Sequence, residues 1–142
     1  MIEVRSQHRV EMPASMAWQA LREFGGAERL TDMIERMTVE GEGVGATREV
    51  VFADGSVAVE RLDEVDDQGR TLAYSMLSSP WPVREYTGHM RVVREGDDAC
   101  TIVWTASFEA PEEHAEELRR QIQALFEDVL ANLAEEARLA HA

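Results

Sequence analysis

The sequence predicts an α+β fold in which about seven antiparallel strands lie against one long C-terminal helix, with two short helices after the first strand. Three observations predict it. From Pro111 to Ala140, Leu118, Ile122, Leu125, Val129 and Leu133 recur at helical spacing, and Phe126 and Leu130 widen the stripe. Residues 2–12 and several later segments instead alternate apolar and polar with a period of two. Between residues 33 and 110, turn chemistry recurs at short intervals. A helix over 111–140 spans on the order of 40 Å, and only the strand-like residues before it offer an apolar surface of that length.

Taken in order, the first strand puts Ile2, Val4, Ser6, His8, Val10 and Met12 on one face and Glu3, Arg5, Gln7, Arg9 and Glu11 on the other. Pro13 ends it and opens a helix to about Phe24, with Met16, Ala17, Ala20, Leu21 and Phe24 along its apolar side and Trp18 as a packing residue. Gly25-Gly26 breaks that helix, and residues 27–31 are expected to add one more turn. Strands follow near 33–40, 46–53, 56–65, 70–78, 83–94 and 99–109. They are separated by Gly41-Glu42-Gly43, Asp54-Gly55, Asp66-Asp67-Gln68-Gly69, Ser79-Pro80-Trp81-Pro82 and Glu95-Gly96-Asp97-Asp98. Leu72, Tyr74 and Met76 share one face of their strand, as do Tyr86, Gly88, Met90 and Val92, and then Ile102, Trp104, Ala106 and Phe108. Glu85, His89, Arg91, Thr105 and Glu109 fall on the other side, so one sheet face is dry and one wet. Pro111 suits the start of the last helix, where Glu112 and Glu113 meet the positive end of its dipole. No repeat, linker or low-complexity tract divides residues 1–142, which are read as one domain.

Composition narrows the function classes. Twenty-eight acidic residues face fourteen basic ones, all arginine, for a net charge of −14. That field repels phosphate backbones and anionic lipid surfaces, which argues against nucleic-acid and membrane partners. A high-salt cytoplasm and an arginine-favouring genome both account for the imbalance. No apolar run is long enough to cross a bilayer, MIEVRSQHRV carries no signal-peptide core, and the one cysteine, Cys100, has no partner for an internal disulfide. The expectation is a cytoplasmic protein. His89, His114 and His141 have no metal-binding spacing, and no nucleophile elbow, phosphate-binding loop or dinucleotide fingerprint is present, so neither metal nor cofactor is expected.

Several stretches carry a family resemblance: Met12-Pro13 with Ala17-Trp18 and Leu21, Gly43-Val44-Gly45-Ala46-Thr47-Arg48, Asp54-Gly55, Glu60-Arg61-Leu62-Asp63 with Asp66-Asp67, Pro82-Val83-Arg84-Glu85-Tyr86, and Val103-Trp104-Thr105. With the element order, they resemble the polyketide cyclase/dehydrase-like branch of the START and Bet v 1 superfamily over essentially the whole chain, and the sequence is also similar to the abscisic-acid receptors. The resemblance implies a helix-grip fold, a curved sheet gripping the last helix with a cavity between them. The loops at Asp54-Gly55 and Ser79–Pro82 would close that cavity. It also implies pocket polar groups at Glu35, Glu60, Tyr86 and Trp104. The receptors' ligand-pairing lysine falls on Glu35 and their last-strand carboxylate on Trp104, which makes this cavity more aromatic and reverses one charge.

Weighed as chemistry, Glu60 comes first. A carboxyl among apolar groups is a candidate general acid or base, whereas on an exposed strand face it would only pair with an arginine. Local alternation leaves its side open, because Val57, Val59 and Val65 point inward on the opposite parity, while the resemblance puts Glu60 inside with Ala58 and Leu62. Tyr74 and Tyr86 share inward parity with Met76 and Met90. Tyr86 is a candidate donor to a ligand carbonyl, against the plainer role of a satisfied core phenol. Arg48 and Arg84, inward near strand ends, would steady an enolate or carboxylate, or else neutralise Glu35 or Glu60. Trp81, between two prolines, suits a lid over an apolar pocket, or a contact elsewhere. His8 reads as a satisfied core histidine. The wall would come from Phe52, Met76, Trp104, Leu125 and Val129.

The expected function is binding of a small hydrophobic molecule, aromatic or polyketide-like, between sheet and helix. Two versions stand. In one, Glu60 and Tyr86 catalyse acid–base cyclisation or dehydration. In the other the pocket only carries or senses its ligand, a version favoured if Glu60 is locked in an ion pair. A pocket filled solid by its own side chains is the third outcome.

Overall fold

The computed structural model describes residues 1–140, so His141 lies outside the described residues. The chain runs β1 (Ile2–Val10), α1 (Ala14–Arg22), a short 3-10 turn (Ala27–Leu30), β2 (Ile34–Glu40), β3 (Thr47–Phe52), β4 (Val57–Asp66), β5 (Thr71–Ser78), β6 (Arg84–Arg94), β7 (Cys100–Glu109) and α2 (Glu112–Ala140). All seven strands join one antiparallel sheet in the order β1-β7-β6-β5-β4-β3-β2. This is the helix-grip α+β fold expected from the sequence, with element limits within two residues of the turn-based reading. Consecutive strands pair as hairpins, and only β1 reaches across the chain, to β7.

The dry face of the sheet meets α2. Leu118, Ile122, Phe126, Val129, Leu130 and Leu133 are buried along the helix, against Val4, Leu72, Ile102, Trp104 and Phe108 from the strands. Polar contacts then fix the helix laterally. Ser6 and His8 of β1 both bond the Glu127 carboxylate, Ser6 through Oγ at 2.5 Å and His8 through Nε2 at 3.0 Å. His8 is therefore half-buried and satisfied by a carboxylate. On the other flank Thr31 Oγ1 donates to Asp128 at 2.6 Å, Asn132 Nδ2 to the Leu30 carbonyl at 2.6 Å, and Arg29 Nη2 to Glu136 at 3.3 Å. These three strap the 3-10 turn and the residue after it to the second half of α2. Trp18, buried in α1, donates its indole N–H to Asp67 in the β4–β5 turn, and Arg22 bonds the same carboxylate.

Four register shifts interrupt the ladders, and those in β2, β4 and β6 decide which side chains face inward. In β2, Ile34 pairs with Phe52 and Arg36 with Val51, which leaves Glu35 as the extra residue. Between β4 and β5, the shift at Val59/Glu60 puts its extra residue, Leu77, on β5, so Ala58, Glu60 and Leu62 stay buried in plain alternation; the shift at Leu62/Glu64 makes Asp63 the extra residue of β4 and switches parity, so that Val65 packs against the core. In β6, the shift between Arg84 and Thr87 coincides with Glu85 at φ 52°, a left-handed conformation uncommon outside glycine. No helix among the described residues is long and apolar enough to cross a membrane.

Candidate functional site

At the centre of the dry face, Glu60 of β4 lies opposite Arg48 of β3, and the pairing register puts both side chains on the same side. Only 6% of Glu60 and 9% of Arg48 is exposed. Arg48 Nε donates to Glu60 Oε1 at 2.7 Å, and Nη1 donates to the Phe24 carbonyl at 3.2 Å. The guanidinium carbon sits 4.0 Å from the Phe24 ring centroid and 4.9 Å from that of Tyr74, so cation–π attraction adds to the charged hydrogen bond. A buried pair held this way is neutral as a unit and costly to break from one side.

Phe24 can reach Arg48 because α1 ends there. Phe24 has φ 63° and Gly26 φ 89°, so the chain turns sharply and carries the Phe24 ring inward. The aromatic groups then form a connected wall. Trp104 Nε1 donates to the Tyr74 hydroxyl at 2.9 Å, Trp104 stacks on Phe126 of α2 at 3.8 Å between centroids, and Tyr86 stacks on Phe108 at 5.5 Å. Burial, reinforced by the nearby Glu60 carboxylate, pushes the Tyr74 phenol well above its ordinary value; burial and the neighbouring Tyr74 do the same for Tyr86. Both keep their protons through the physiological range and present O–H dipoles to the interior.

Two spaces lie between sheet and helix among the described residues. The first, about 40 Å³, is lined by Arg48, Phe52, Glu60, Tyr74, Met76, Trp81, Tyr86, Trp104 and Leu125, together with Met37 and Phe126. The structure thus brings together nine of the twelve residues singled out in the sequence. Its outer end is covered where Trp81, on the Ser79–Pro82 loop, meets Phe52 at 5.4 Å between centroids. The second space, about 220 Å³, lies under the α1 bend and is lined by Leu21, Phe24, Met90, Leu130 and Leu133, with Val129. Ala27, Arg48 and Trp104 border both spaces.

Glu35 and Arg84 are placed elsewhere, and the correction has one cause. The β2 bulge turns Glu35 to solvent and gives its place to Ile34 and Met37. The β6 bulge turns Arg84 outward, where its side chain is 81% exposed and lies 3.7 Å from Glu109. By sequence pattern Phe24 falls on the α1 packing face, and nothing but the adjacent Gly25-Gly26 signals its role as the residue that clamps Arg48. No group of three or more His, Cys, Asp or Glu among the described residues is arranged to hold a metal ion.

Comparison with known proteins gives this geometry a context. A family model described as polyketide cyclase / dehydrase and lipid transport matches residues 1–138. The abscisic acid receptor PYL2 of Arabidopsis thaliana is 34% identical over 83 residues, 55% of this chain and 44% of the receptor, so the match spans less than half of that relative's length. A Thermobifida fusca protein with a solution structure is 33% identical, with TM-score 0.84 over 96% of this chain and 93% of its own. The Zhui aromatase/cyclase from a Streptomyces species superimposes with TM-score 0.83 over 96% of this chain and 93% of its own, at 21% identity, a likeness of fold.

Proposed function

The chain belongs to the polyketide cyclase/dehydrase and lipid transport family, and on that premise we propose that it binds a small, apolar, oxygen-bearing molecule between its sheet and α2. The observation that carries this reading is the buried Arg48–Glu60 pair set among Tyr74, Tyr86 and Trp104. A core needs no such group, because hydrophobic residues of similar volume are as stable or more so. Placed beside free space, the pair and the two phenols supply oriented donors for a ligand oxygen, and the rings and thioethers take its apolar body.

Carriage or sensing is favoured over catalysis at Glu60. A general acid at this position needs an unpaired carboxyl among apolar groups, whereas Glu60 is held by Arg48 at 2.7 Å. Acid–base cyclisation or dehydration is the second reading, and one observation favours it. Tyr86 lines the hollow with its proton retained, which is the state of a donor to a developing enolate. The Zhui protein is by its name an aromatase/cyclase and PYL2 a receptor, so both versions have relatives on this fold.

The test is native mass spectrometry of freshly purified protein, followed by a binding screen of aromatic ketones and phenols. The expected result is a non-covalent adduct that organic solvent releases, or saturable binding that Arg48→Met weakens by tenfold or more, roughly the worth of one charged hydrogen bond. Absence of both an adduct and saturable binding would leave the pair without a ligand role. Turnover of a bound compound that Tyr86→Phe abolishes while binding persists would promote the catalytic version.

A further inference from the structure

Of the two spaces between sheet and α2, the larger is not beside Glu60. It lies under the bend formed by Phe24, Gly25 and Gly26, between α1, the 3-10 turn and the second half of α2. Its walls are apolar: Leu21, Phe24, Leu30, Met90, Leu130 and Leu133. Glu23 and Arg29, both exposed, stand at its rim. At about 220 Å³ it exceeds the roughly 150 Å³ at which an apolar protein cavity holds a benzene ring. The hollow at Glu60, at about 40 Å³, has room for water-sized groups only.

The partition between the two spaces is chemically specific. Arg48 and Trp104 border both. Arg48 spends Nε on Glu60 and Nη1 on the Phe24 carbonyl, which leaves Nη2 without a partner among the described residues. An arginine side chain nine-tenths buried, with unused N–H groups beside an apolar chamber, can satisfy an acceptor placed in that chamber. Because Glu60 already balances the guanidinium, a neutral acceptor adds no charge, whereas a carboxylate would bury a surplus negative charge among apolar walls.

The geometry points to the chamber under the α1 bend as the ligand's main seat, taking one aromatic ring that bears an uncharged carbonyl oxygen held by Arg48, with the Glu60 hollow left for a small substituent. The inference rests on the ligand-binding reading above and moves the ligand body away from the loops at residues 54–55 and 79–82. It also makes the strap of Arg29, Leu30 and Thr31 onto α2 the roof of the site.

Methionine methyl NMR separates the two spaces, since Met90 borders only the chamber and Met37 and Met76 border only the Glu60 hollow. Titration with acetophenone is expected to shift the Met90 methyl and the Trp104 indole signal, with Met37 and Met76 moving little. Ethylbenzene, which lacks the acceptor, should bind roughly tenfold more weakly, and benzoate more weakly than acetophenone. Ala20→Trp, at an exposed position on the chamber's edge, should abolish the Met90 response. Shifts confined to Met37 and Met76 would overturn the inference while leaving the ligand-binding reading intact. Silence from every methyl with all three probes would overturn it too, and an adduct found by mass spectrometry would then still speak for binding elsewhere. Tighter binding of benzoate than of acetophenone would overturn the assigned ligand class.

Discussion

Gly88 lies directly across the β5–β6 ladder from Tyr74, and the Tyr74 ring occupies the space that a Cβ on Gly88 would need. The ring can lie flat across the sheet and accept the Trp104 N–H because its neighbour has no side chain. Gly88 is thus a packing glycine, with no positive φ to explain it. Gly88→Ala is expected to push Tyr74 off its place and to destabilise the fold by about 1–3 kcal/mol through overpacking. Urea unfolding measures the loss, and the Trp104 indole N–H signal should lose its hydrogen-bonded shift in the same variant. An unchanged indole signal would mean that the ring is not fixed by this contact.

The Arg48–Glu60 pair makes an asymmetric prediction. Arg48→Met alone leaves a carboxylate buried without its partner and should cost about 3–5 kcal/mol. Glu60→Leu alone strands the guanidinium and should cost a similar amount. Combined, the two substitutions should recover most of that loss, leaving about 1 kcal/mol for the Phe24 carbonyl that no longer receives Arg48 Nη1. Chemical denaturation of the four proteins closes the cycle. Additive losses would show that the two groups do not act as a unit.

The limits of the strands were legible because alternation and turn residues are local properties. The sheet face meeting α2 was legible too, since the stripes on Tyr86, Gly88, Met90 and Val92 and on Ile102, Trp104, Ala106 and Phe108 are unbroken. Parity reasoning failed at the bulges, because one extra residue reverses every later side chain and leaves no mark in composition. Arg84 is displaced for that reason, whereas Glu35, which the family resemblance and not parity puts in the pocket, is turned out by the β2 bulge. The conflict at β4, where Ala58, Glu60 and Leu62 opposed Val57, Val59 and Val65, has the same origin: Val57 is exposed and Val59 half-buried, while Val65, beyond the extra residue Asp63, faces inward with the first group. Phe24 is a different case. Its role depends on a left-handed backbone at the end of α1 and on an arginine twenty-four positions later, a pairing that no local pattern encodes.

Glu127 gives the stability an acid-side dependence. Hydrogen bonds from Ser6 and His8 hold its carboxyl below the ordinary glutamate value of 4.5. A folded-state value below the unfolded one contributes stability that is present above the unfolded value and is lost as pH falls through the folded one. Wild-type thermal stability should therefore decline below about pH 4.5, and Glu127→Gln should decline less steeply over that window while being somewhat less stable at pH 7. Parallel slopes for the two proteins between pH 5 and 3 would show that the tie between β1 and α2 does not depend on this charge. The site is half-exposed, so added salt should shrink the difference.

On the alkaline side the chain is its own indicator, because it contains two tyrosines and both line the Glu60 hollow. Burial raises both phenols above their ordinary value of 10.0 in the folded state. A raised folded-state value contributes stability that is complete below the unfolded value and is lost as pH rises through the folded one. Spectrophotometric titration at 295 nm should thus find no phenolate near pH 10 while the protein stays folded. The absorbance should rise later and in step with the loss of the helical circular dichroism signal, since ionisation of either ring requires the interior to open. Phe substitution of Tyr86 should halve the final amplitude and leave that coincidence intact. A rise at pH 10 in a folded protein would mean that water reaches the phenols freely, and the oriented donors on which the ligand site depends would then be solvated groups at an open surface.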